Sequence, residues 1–168
     1  IYNDIANGTL ATVSWVNSPA AASDHPELND GHGPSWVASV VNAVGESPYY
    51  KNTVIFVTWD DWGGWYDHVV PQEYGVWGLG FRVPLLVASA WSKHGYVSKK
   101  AHEFGSLLKF TEELFRLPSL GTRDAAADDL SDCFNFSQTP PAFKPIALTT
   151  TPYELRKLRY DTRPNDNY

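Results

Sequence analysis

The chain has 168 residues, a formal net charge of −6 and a hydrophobic fraction of 43%, so it is long and apolar enough for one domain with its own core. Its 13 Lys and Arg residues are scattered, and the lack of a basic stripe argues against nucleic acid as the main partner. No apolar run reaches the roughly 20 residues of a membrane-spanning helix. The single Cys133 excludes an internal disulfide framework.

The first predicted elements are a strand and a helix separated by a long loop. Leu10 to Val16 is a short apolar run with β-branched residues, which predicts a strand. The stretch from Ser18 to Pro34 is rich in Pro, Gly, Asp and Asn and is predicted to be a loop. Ser35 is predicted to cap a helix that ends near Gly45 and has one apolar face, formed by Val37, Val40, Val41 and Val44.

Two strands and a second helix follow. Thr53 to Thr58 is a continuous apolar run, typical of a central strand covered on both faces. Val83 to Ala88 is a second candidate strand, and Pro84 places its start at an edge. Ser106 is predicted to cap a helix running through Arg116. This order of elements favours an α/β domain with a mostly parallel sheet flanked by helices.

The regular pattern weakens in the last third of the chain. Asp124 to Asp132 predicts a short acidic helical turn. From Phe134 onward the sequence is Pro-rich and mixed in charge, which predicts an arm draped over the domain or a partly ordered tail. We therefore divide the chain into a domain portion, 1–136, and an arm or tail, 137–168.

Asp60 and Asp61 directly follow the predicted strand Thr53–Thr58. In open α/β sheets, ligands gather at the carboxyl ends of the strands. Two adjacent carboxylates there repel one another and lose hydration unless a cation or strong donors compensate. A divalent metal is one compensation. The alternative is that both side chains cap backbone N–H groups of the loop, and position alone leaves the two interpretations even.

Three histidines are candidates for contact with a phosphate or a metal. His25 follows Asp24 in the Gly/Pro-rich loop, and a charged imidazole there can hold phosphate or protonate a leaving group. His102 lies just before the second helix, where a phosphate ligand or a metal is also met. His68 has Asp67 beside it as a possible orienting partner. Taken singly, each is more often a solvated bystander.

The loop after Asp61 combines a Gly63-Gly64 pair with several aromatic residues. The glycines allow a sharp turn and a close approach to a ligand, although a bare turn explains them equally well. The aromatic side chains are candidates for a pocket wall or for stacking over a cationic head group such as choline, and ordinary core packing is expected for at least two of them. They are Trp59, Trp62, Trp65 and Tyr66.

Taken together, these segments resemble a bacterial phosphoesterase family that contains phospholipase C enzymes and related acid phosphatases. The resemblance rests on TVIFVTWDDWGGWYDHVVP, GLGFRVPLLVASAWSKHGYVS and HEFGSLLKFTEELFRLPSL, with SWV…SDHP before them and RD…DLSDCFNF after them. It runs from about Leu10 to Phe136 in the expected order, and several ordered motifs are far more specific than one.

The resemblance implies an alkaline-phosphatase-like α/β fold that hydrolyses phosphate esters at a divalent metal centre. By match, Asp60 and Asp61 take the place of the family's acidic metal ligands. His25, in SDHP, matches a histidine that contacts the phosphate or donates a proton. His102 matches a common polar position before the last helix. The substrate is then a phosphate ester, with a phospholipid as one possibility, and the family's usual export implies a secreted or periplasmic protein.

The sequence departs from the family in two places. Trp62 stands where the family often has His or Asn, which alters the pocket wall but leaves the acidic pair intact. The family's early Glu-Asn motif and its Ser or Thr nucleophile are not recognisable here. We expect both to lie upstream of Ile1, so the chain is expected to be incomplete and to supply part of the active site.

Other functions remain open. Within enzymes, a sulfate or phosphonate hydrolase is the runner-up, because related metal folds serve other anions. A degenerate module that binds a metal or ligand without catalysis is the alternative from another class. A carbohydrate-binding protein that uses its exposed Trp residues is a third interpretation, which chelators would leave unaffected while mutation of Trp62 removed binding.

Overall fold

The computed structural model describes residues 1–28, 30–74, 77–121 and 123–163. Helices and strands alternate irregularly along these residues, and short 3-10 turns lie at Ala20–Ala22, Tyr50–Asn52 and Ser131–Cys133. The elements are α1 (Tyr2–Asn7), α2 (Gly33–Gly45), β1 (Val54–Thr58), β2 (Glu73–Tyr74), β3 (Trp77–Gly78), β4 (Leu85–Ser89), α3 (Phe104–Phe115), α4 (Arg123–Ala126) and α5 (Pro152–Leu158). The chain is thus a mixture of helices and strands, and in the parts described no helix is long and apolar enough to cross a membrane.

The described strands form two antiparallel pairs. β1 pairs with β4, with Val54 opposite Ser89 and Thr58 opposite Leu85, and β2 pairs with β3 as a short hairpin. A parallel pair needs a crossover connection, usually a helix. Between β1 and β4 the described residues form only the hairpin and loops. The predicted mostly parallel sheet is therefore not shown by these strands.

Two of the three predicted strands are confirmed, at Val54–Thr58 and Leu85–Ser89, but β1 is half-buried along its whole length. Its Phe56 ring meets Phe110 of α3 edge-on, with the ring centroids 5.2 Å apart. The expectation of a central strand covered on both faces is not met among the described residues, because every residue of β1 keeps intermediate exposure and the strand has a neighbour along one edge only. Leu86 on β4 remains 54% exposed.

Leu10 to Val16 does not form the predicted strand. A strand needs a partner for its backbone groups, and this segment is irregular, with the N–H of Leu10 donating to the Tyr49 hydroxyl at 3.2 Å. Trp15 is 77% exposed. The apolar residues of this segment therefore do not make a strand of the core.

Helix α2 begins earlier than predicted. Its first residue is Gly33, and Ser35 lies buried inside the first turn instead of capping it. The Ser35 hydroxyl oxygen accepts hydrogen bonds from the N–H groups of Thr149 and Thr150, each at 3.0 Å. Ser35 thus ties the C-terminal segment to the helix, a role that local spacing does not reveal.

The segment after Phe134 lies against α2 and contains the helix α5. Asn42 exchanges two hydrogen bonds with the backbone of Ile146, at 2.8 and 2.9 Å. Further on, α5 opens with a capping box between Thr151 and Glu154. Asp161 then accepts a hydrogen bond from the N–H of Ala21 at 2.9 Å. This segment therefore contacts the domain portion at several points.

The second predicted helix is confirmed as α3, which starts two residues before Ser106. Glu103 is the N-cap, and its backbone N–H donates to the Ser106 hydroxyl at 3.2 Å in a reciprocal capping box. The Glu103 carboxylate also pairs with Arg123 at the start of α4, 2.6 Å away. The predicted acidic turn between Asp124 and Asp132 contains α4 and the last 3-10 turn.

Candidate metal and phosphate site

β1 leads directly into the loop that carries Asp60 and Asp61. The half-buried Asp61 bends back, and its Oδ1 accepts the N–H of Gly63 at 2.6 Å. Gly63 and Gly64 both have positive φ angles, of 63° and 76°, which glycine adopts without the steric cost of a side chain. Asp61 therefore does cap the loop backbone with one oxygen, as the alternative interpretation of this pair proposed.

Asp60 is placed differently from Asp61. It is exposed, and its carboxylate has no hydrogen bond or ion pair with any residue that the structure describes. An exposed carboxylate beside a second one is a donor set of the all-oxygen kind that hard divalent cations prefer. Asp60 is thus available as an oxygen ligand, because it makes no competing contact with the described residues, while Asp61 already uses Oδ1 for the Gly63 N–H.

The loop that carries His25 has a defined local geometry. The His25 N–H donates to the Ser23 hydroxyl at 3.2 Å, and its Nδ1 accepts the N–H of Glu27 at 3.3 Å. Because Nδ1 is the acceptor, the neutral ring carries its proton on Nε2. In this neutral form Nε2–H is the group able to donate a hydrogen bond away from the loop.

The loops of His25 and Asp61 lie against each other. A Cβ atom built on Gly63 would be 3.1 Å from Cγ of Pro26, the residue after His25. That separation is tighter than ordinary van der Waals contact, so glycine at position 63 lets the two loops approach. The structure thus brings together two segments that are more than thirty residues apart in the sequence and that both carry predicted site residues.

Asp24 occupies a strained and partly enclosed position next to His25. Its φ angle is 60°, in the left-handed region that few residues other than glycine adopt. Its carboxylate fills the space beside Gly33, where a Cβ atom would overlap it. Burial raises the pKa of this carboxyl group above 3.8. Asp24 therefore packs on the first turn of α2, and Gly33 provides the room.

Asp67 forms an ion pair with Arg82, and His68 lies beside it. The guanidinium donates from Nε and Nη2 to the two carboxylate oxygens, at 2.8 Å each. Hydrogen bonds from this side chain hold the pKa of Asp67 well below its usual value. The exposed His68 ring instead meets Tyr66 edge-on, at 5.0 Å between centroids. The Asp67 carboxylate is thus directed to Arg82, a residue that the sequence argument did not single out.

The aromatic residues of this loop form an exposed surface. Trp62 meets Phe81 edge-on with the ring centroids 5.6 Å apart, and Tyr66 lies 6.0 Å from the same ring. Trp65 and Tyr66 are 73% and 75% exposed. Most of this aromatic surface is therefore open to solvent and is not core packing.

His102 belongs to a second cluster, away from the Asp60 loop. The backbone N–H of Lys93 donates to the carbonyl of Cys133 at 2.9 Å, which fixes this cluster to the chain just after β4. Because β1 and β4 are antiparallel, the end of β4 lies beside the start of β1. Asp60 follows the other end of β1, whose five residues span roughly 13 Å. The prediction that His102 meets a metal or phosphate is therefore tied to this second cluster.

Within the second cluster, one ligand atom each of His102, Asp132 and Cys133 lies within 4.8 Å of the others, close enough for a metal ion to be held. The sequence argument did not single out Asp132 or Cys133. The signal that points to them is the dense run of carboxylates and one thiol in DDLSDC, which was used only as a family segment.

The electrostatics of this cluster follow from its carboxylates. Burial acts to raise the pKa of Asp132, but hydrogen bonds from Ser98 and Tyr96 and the nearby His102 lower it on balance. Burial raises the pKa of the Cys133 thiol, and the neighbouring carboxylates add to that effect. In the absence of a cation, Cys133 is therefore a neutral thiol at physiological pH.

Comparison with known proteins assigns the chain to a family. Residues 1–118 match the model of the Phosphoesterase family. The non-hemolytic phospholipase C of Burkholderia pseudomallei is 34% identical over 82% of this chain. The hemolytic phospholipase C of Pseudomonas aeruginosa is 30% identical over the whole chain. The non-specific phospholipase C6 of Arabidopsis thaliana is 31% identical over 86% of it.

The chain therefore belongs to the phosphoesterase family, as its motifs predict. It covers 24%, 26% and 34% of the lengths of these three relatives, so it spans about a quarter to a third of proteins named phospholipase C. Both predicted site loops, around His25 and around Asp60, lie inside the matched residues.

Proposed function

We propose that this chain is part of a phosphoric ester hydrolase that depends on a divalent metal, and that it contributes Asp60, Asp61 and His25 to the active site. The observation that carries the proposal is the contact between the two loops, where Pro26 packs on Gly63. Family membership supplies the reaction class. The remaining metal ligands and the hydroxyl nucleophile come from elsewhere in the protein.

Asp60 and Asp61 are the residues that would hold the metal. Their oxygen atoms suit a hard or borderline divalent ion, and such an ion supplies Lewis-acid stabilisation of charge on the phosphoryl oxygens. Asp61 uses Oδ1 to hold the loop at Gly63. The N–H of Gly63 therefore fixes the carboxylate that lies next to Asp60 and helps to preorganise the pair.

His25 is proposed to act on the phosphate. In the expected reaction a hydroxyl oxygen forms a bond to phosphorus, the bond from phosphorus to the ester oxygen breaks, and the departing oxygen takes up a proton. In the ring form that accepts the Glu27 N–H at Nδ1, the His25 Nε2–H is proposed to hold a phosphoryl oxygen. To give the departing oxygen its proton, the ring is proposed to act as the imidazolium, which requires Nδ1 to leave the Glu27 N–H and take up a proton first. Asp24 and His68 are secondary candidates at the edge of the same loops.

A phospholipid is the substrate class that we favour over a soluble phosphate ester. Several relatives are named phospholipase C, and the exposed rings of Trp65 and Tyr66 lie in the same loop as the metal-binding pair. Amphipathic aromatic side chains suit a lipid–water boundary. An acid phosphatase acting on soluble monoesters is the other outcome within this family.

Three wider features of the complete protein belong to the same proposal. We propose that β1 and β4 join an alkaline-phosphatase-like, mostly parallel sheet in the whole molecule. Residues 1–136 would form the C-terminal part of the phosphoesterase domain, with 137–168 as an arm on it. Export from the cytoplasm is proposed from the family resemblance.

The test is hydrolysis by the full-length protein of a phosphomonoester, a phosphodiester and phosphatidylcholine. Turnover of phosphatidylcholine to diacylglycerol that is lost after chelation, and restored by one divalent metal, is the expected result. His25→Asn should reduce turnover by 10²-fold or more, on the order of a lost general acid. Unchanged turnover after exhaustive chelation would overturn the metal dependence.

A different result would favour a binding module without catalysis. If the full-length protein retains a metal through Asp60 and Asp61 but turns over none of the three substrates under any metal, the degenerate module explains the loops better. Hydrolysis of sulfate or phosphonate esters alone would keep the metal site and change the substrate class.

A further inference from the structure

We propose that His102, Asp132 and Cys133 form a second metal site, selective for zinc-class ions and separate from the Asp60 loop. The three residues come from two segments of the chain, one before α3 and one in the last 3-10 turn. The metal would join these segments. This proposal does not depend on the proposed hydrolase activity.

The distances between the donor atoms suit a tetrahedral ion. Nε2 of His102 lies 3.8 Å from Oδ1 of Asp132, and Sγ of Cys133 lies 3.9 Å from the same oxygen. Tetrahedral zinc with bonds of about 2.0–2.3 Å separates its ligand atoms by about 3.3–3.8 Å. Two of the three donor separations are therefore close to those of a tetrahedral site, and the third, between His102 and Cys133, lies within 4.8 Å and has to shorten by up to about 1 Å.

The two oxygens of Asp132 have different surroundings. Oδ2 accepts hydrogen bonds from the hydroxyls of Tyr96 at 2.8 Å and Ser98 at 2.7 Å. These two donors fix the orientation of the carboxylate. Oδ1 is then the oxygen that faces both His102 and Cys133, which is the orientation that a metal ligand requires.

His102 has a carboxylate beside its second ring nitrogen. Its buried Nδ1 lies 3.0 Å from Oδ1 of Asp128, although the angle is not that of a hydrogen bond, so a small rotation of the ring is needed to complete one. Metal-binding histidines commonly direct their second nitrogen to a carboxylate, which fixes the ring and raises its basicity. Asp128 is itself paired with Lys100 at 3.1 Å. The His102 side chain is only 15% exposed, so its ring has little freedom to turn away.

The donor set selects the class of metal. A thiolate, an imidazole and a carboxylate together favour Zn²⁺ over Ca²⁺ and Mg²⁺, which prefer oxygen ligands. Binding removes one proton from the Cys133 thiol and any proton on Nε2, and both are released to the buffer. The Ser98 hydroxyl, now 2.9 Å from Nε2, is displaced from that nitrogen. A water molecule or the Ser98 oxygen is left to fill the fourth position.

The test uses Co²⁺ as a spectroscopic probe in the full-length protein after chelation. Cobalt bound to a thiolate gives an intense near-ultraviolet charge-transfer band, and tetrahedral geometry strengthens its visible bands. We expect both signals, and we expect Zn²⁺ but not a large excess of Ca²⁺ or Mg²⁺ to abolish them. Cys133→Ser should remove the charge-transfer band, and His102→Gln should weaken binding by 10-fold or more. Asp60→Asn should leave the band unchanged.

A wild-type measurement guards against variants that fail to fold. Zn²⁺ should slow the alkylation of Cys133 by 10-fold or more, because a sulfur bound to the metal is a weaker nucleophile. Peptide mass spectrometry locates the alkylated residue. Alkylation at the same rate with and without Zn²⁺ would overturn the proposal. A cobalt charge-transfer band that survives in Cys133→Ser would also overturn the proposal, because the band would then not come from Cys133. His102, Asp132 and Cys133 would in that case form only a cluster of hydrogen bonds and ion pairs.

Discussion

At the scale of single residues, the loop after β1 depends on contacts made by neighbouring carboxylates with different partners. Asp61 accepts the N–H of Gly63, while Asp67 accepts hydrogen bonds from the side chain and the backbone N–H of Arg82. Asp60, between β1 and these contacts, has no hydrogen bond or ion pair to residues in the described part of the chain. The loop is thus fixed around the residue that is proposed to bind the metal.

Replacing Asp67 with Asn should loosen this loop at neutral pH. The folded pKa of Asp67 is depressed by Arg82, so its contribution to stability is present above the usual value of 3.8 and is lost as the pH falls below it. The difference in unfolding free energy between wild type and Asp67→Asn should therefore shrink as the pH drops below 3.8. Denaturant titrations over that pH range measure it.

Asp4→Asn is the matched control for that experiment. Asp4 is 53% exposed in helix α1, so replacing its side chain should change stability little at any pH. A stability difference for Asp67→Asn that stayed constant from neutral pH to below 3.8 would show that the Arg82 ion pair is not its source.

At the scale of elements, α2 organises both the His25 loop and the C-terminal segment. Gly33 in its first turn makes room for the carboxylate of Asp24. Two residues further on, Ser35 holds the N–H groups of Thr149 and Thr150. One turn of one helix therefore positions two parts of the chain that are far apart in the sequence.

Gly33→Ala should destabilise the protein, although alanine is normally the better helix former by about 0.5–1 kcal/mol. The new Cβ atom would overlap the Asp24 carboxylate, at an expected cost of roughly 1–3 kcal/mol. We also expect it to displace the His25 loop and lower turnover. Gly80→Ala is the control, because a Cβ atom there meets nothing within 4 Å. Equal or higher stability of Gly33→Ala in chemical denaturation would refute this packing argument.

Ser35→Ala should release the C-terminal segment from α2. It leaves the N–H groups of Thr149 and Thr150 without this acceptor, and the buried Thr150 group, once unsatisfied, costs roughly 1–3 kcal/mol. Hydrogen exchange of the Thr149 and Thr150 amides should become faster, and the unfolding free energy should fall. Ser39→Ala in the same helix is the comparison, since Ser39 bonds the Tyr2 hydroxyl at the surface. Exchange rates equal to those of Ser39→Ala would contradict the assignment.

At the scale of the whole molecule, local sequence patterns predicted the elements better than their arrangement. The apolar run around Phe56 and the capped helix around Phe110 both formed as expected. The strand predicted around Val13 did not, because strand formation needs a partner that apolar composition cannot specify. The antiparallel pairing of β1 with β4 likewise depends on long-range contacts.

The candidate site was predictable only in part for the same reason. Asp60 and Asp61 follow a recognisable apolar strand, so their position could be predicted from the sequence. The pairing of Asp67 with Arg82 joins residues on either side of β2 and β3, so it depends on how the chain between β1 and β4 folds back. Local spacing does not predict that Asp132 lies beside His102, because the two residues are thirty positions apart in the sequence.

The most direct test of the central claim is to measure metal content and phosphatidylcholine turnover on the same samples of full-length wild type, Asp60→Asn and Asp4→Asn. We predict that Asp60→Asn loses one equivalent of divalent metal, measured in samples whose Cys133 site is filled with Zn²⁺. Its turnover should fall by 10²-fold or more, which is comparable to the loss of a key electrostatic group. Asp4→Asn should match the wild type. Full metal content and undiminished turnover in Asp60→Asn would contradict the proposed role of this carboxylate pair.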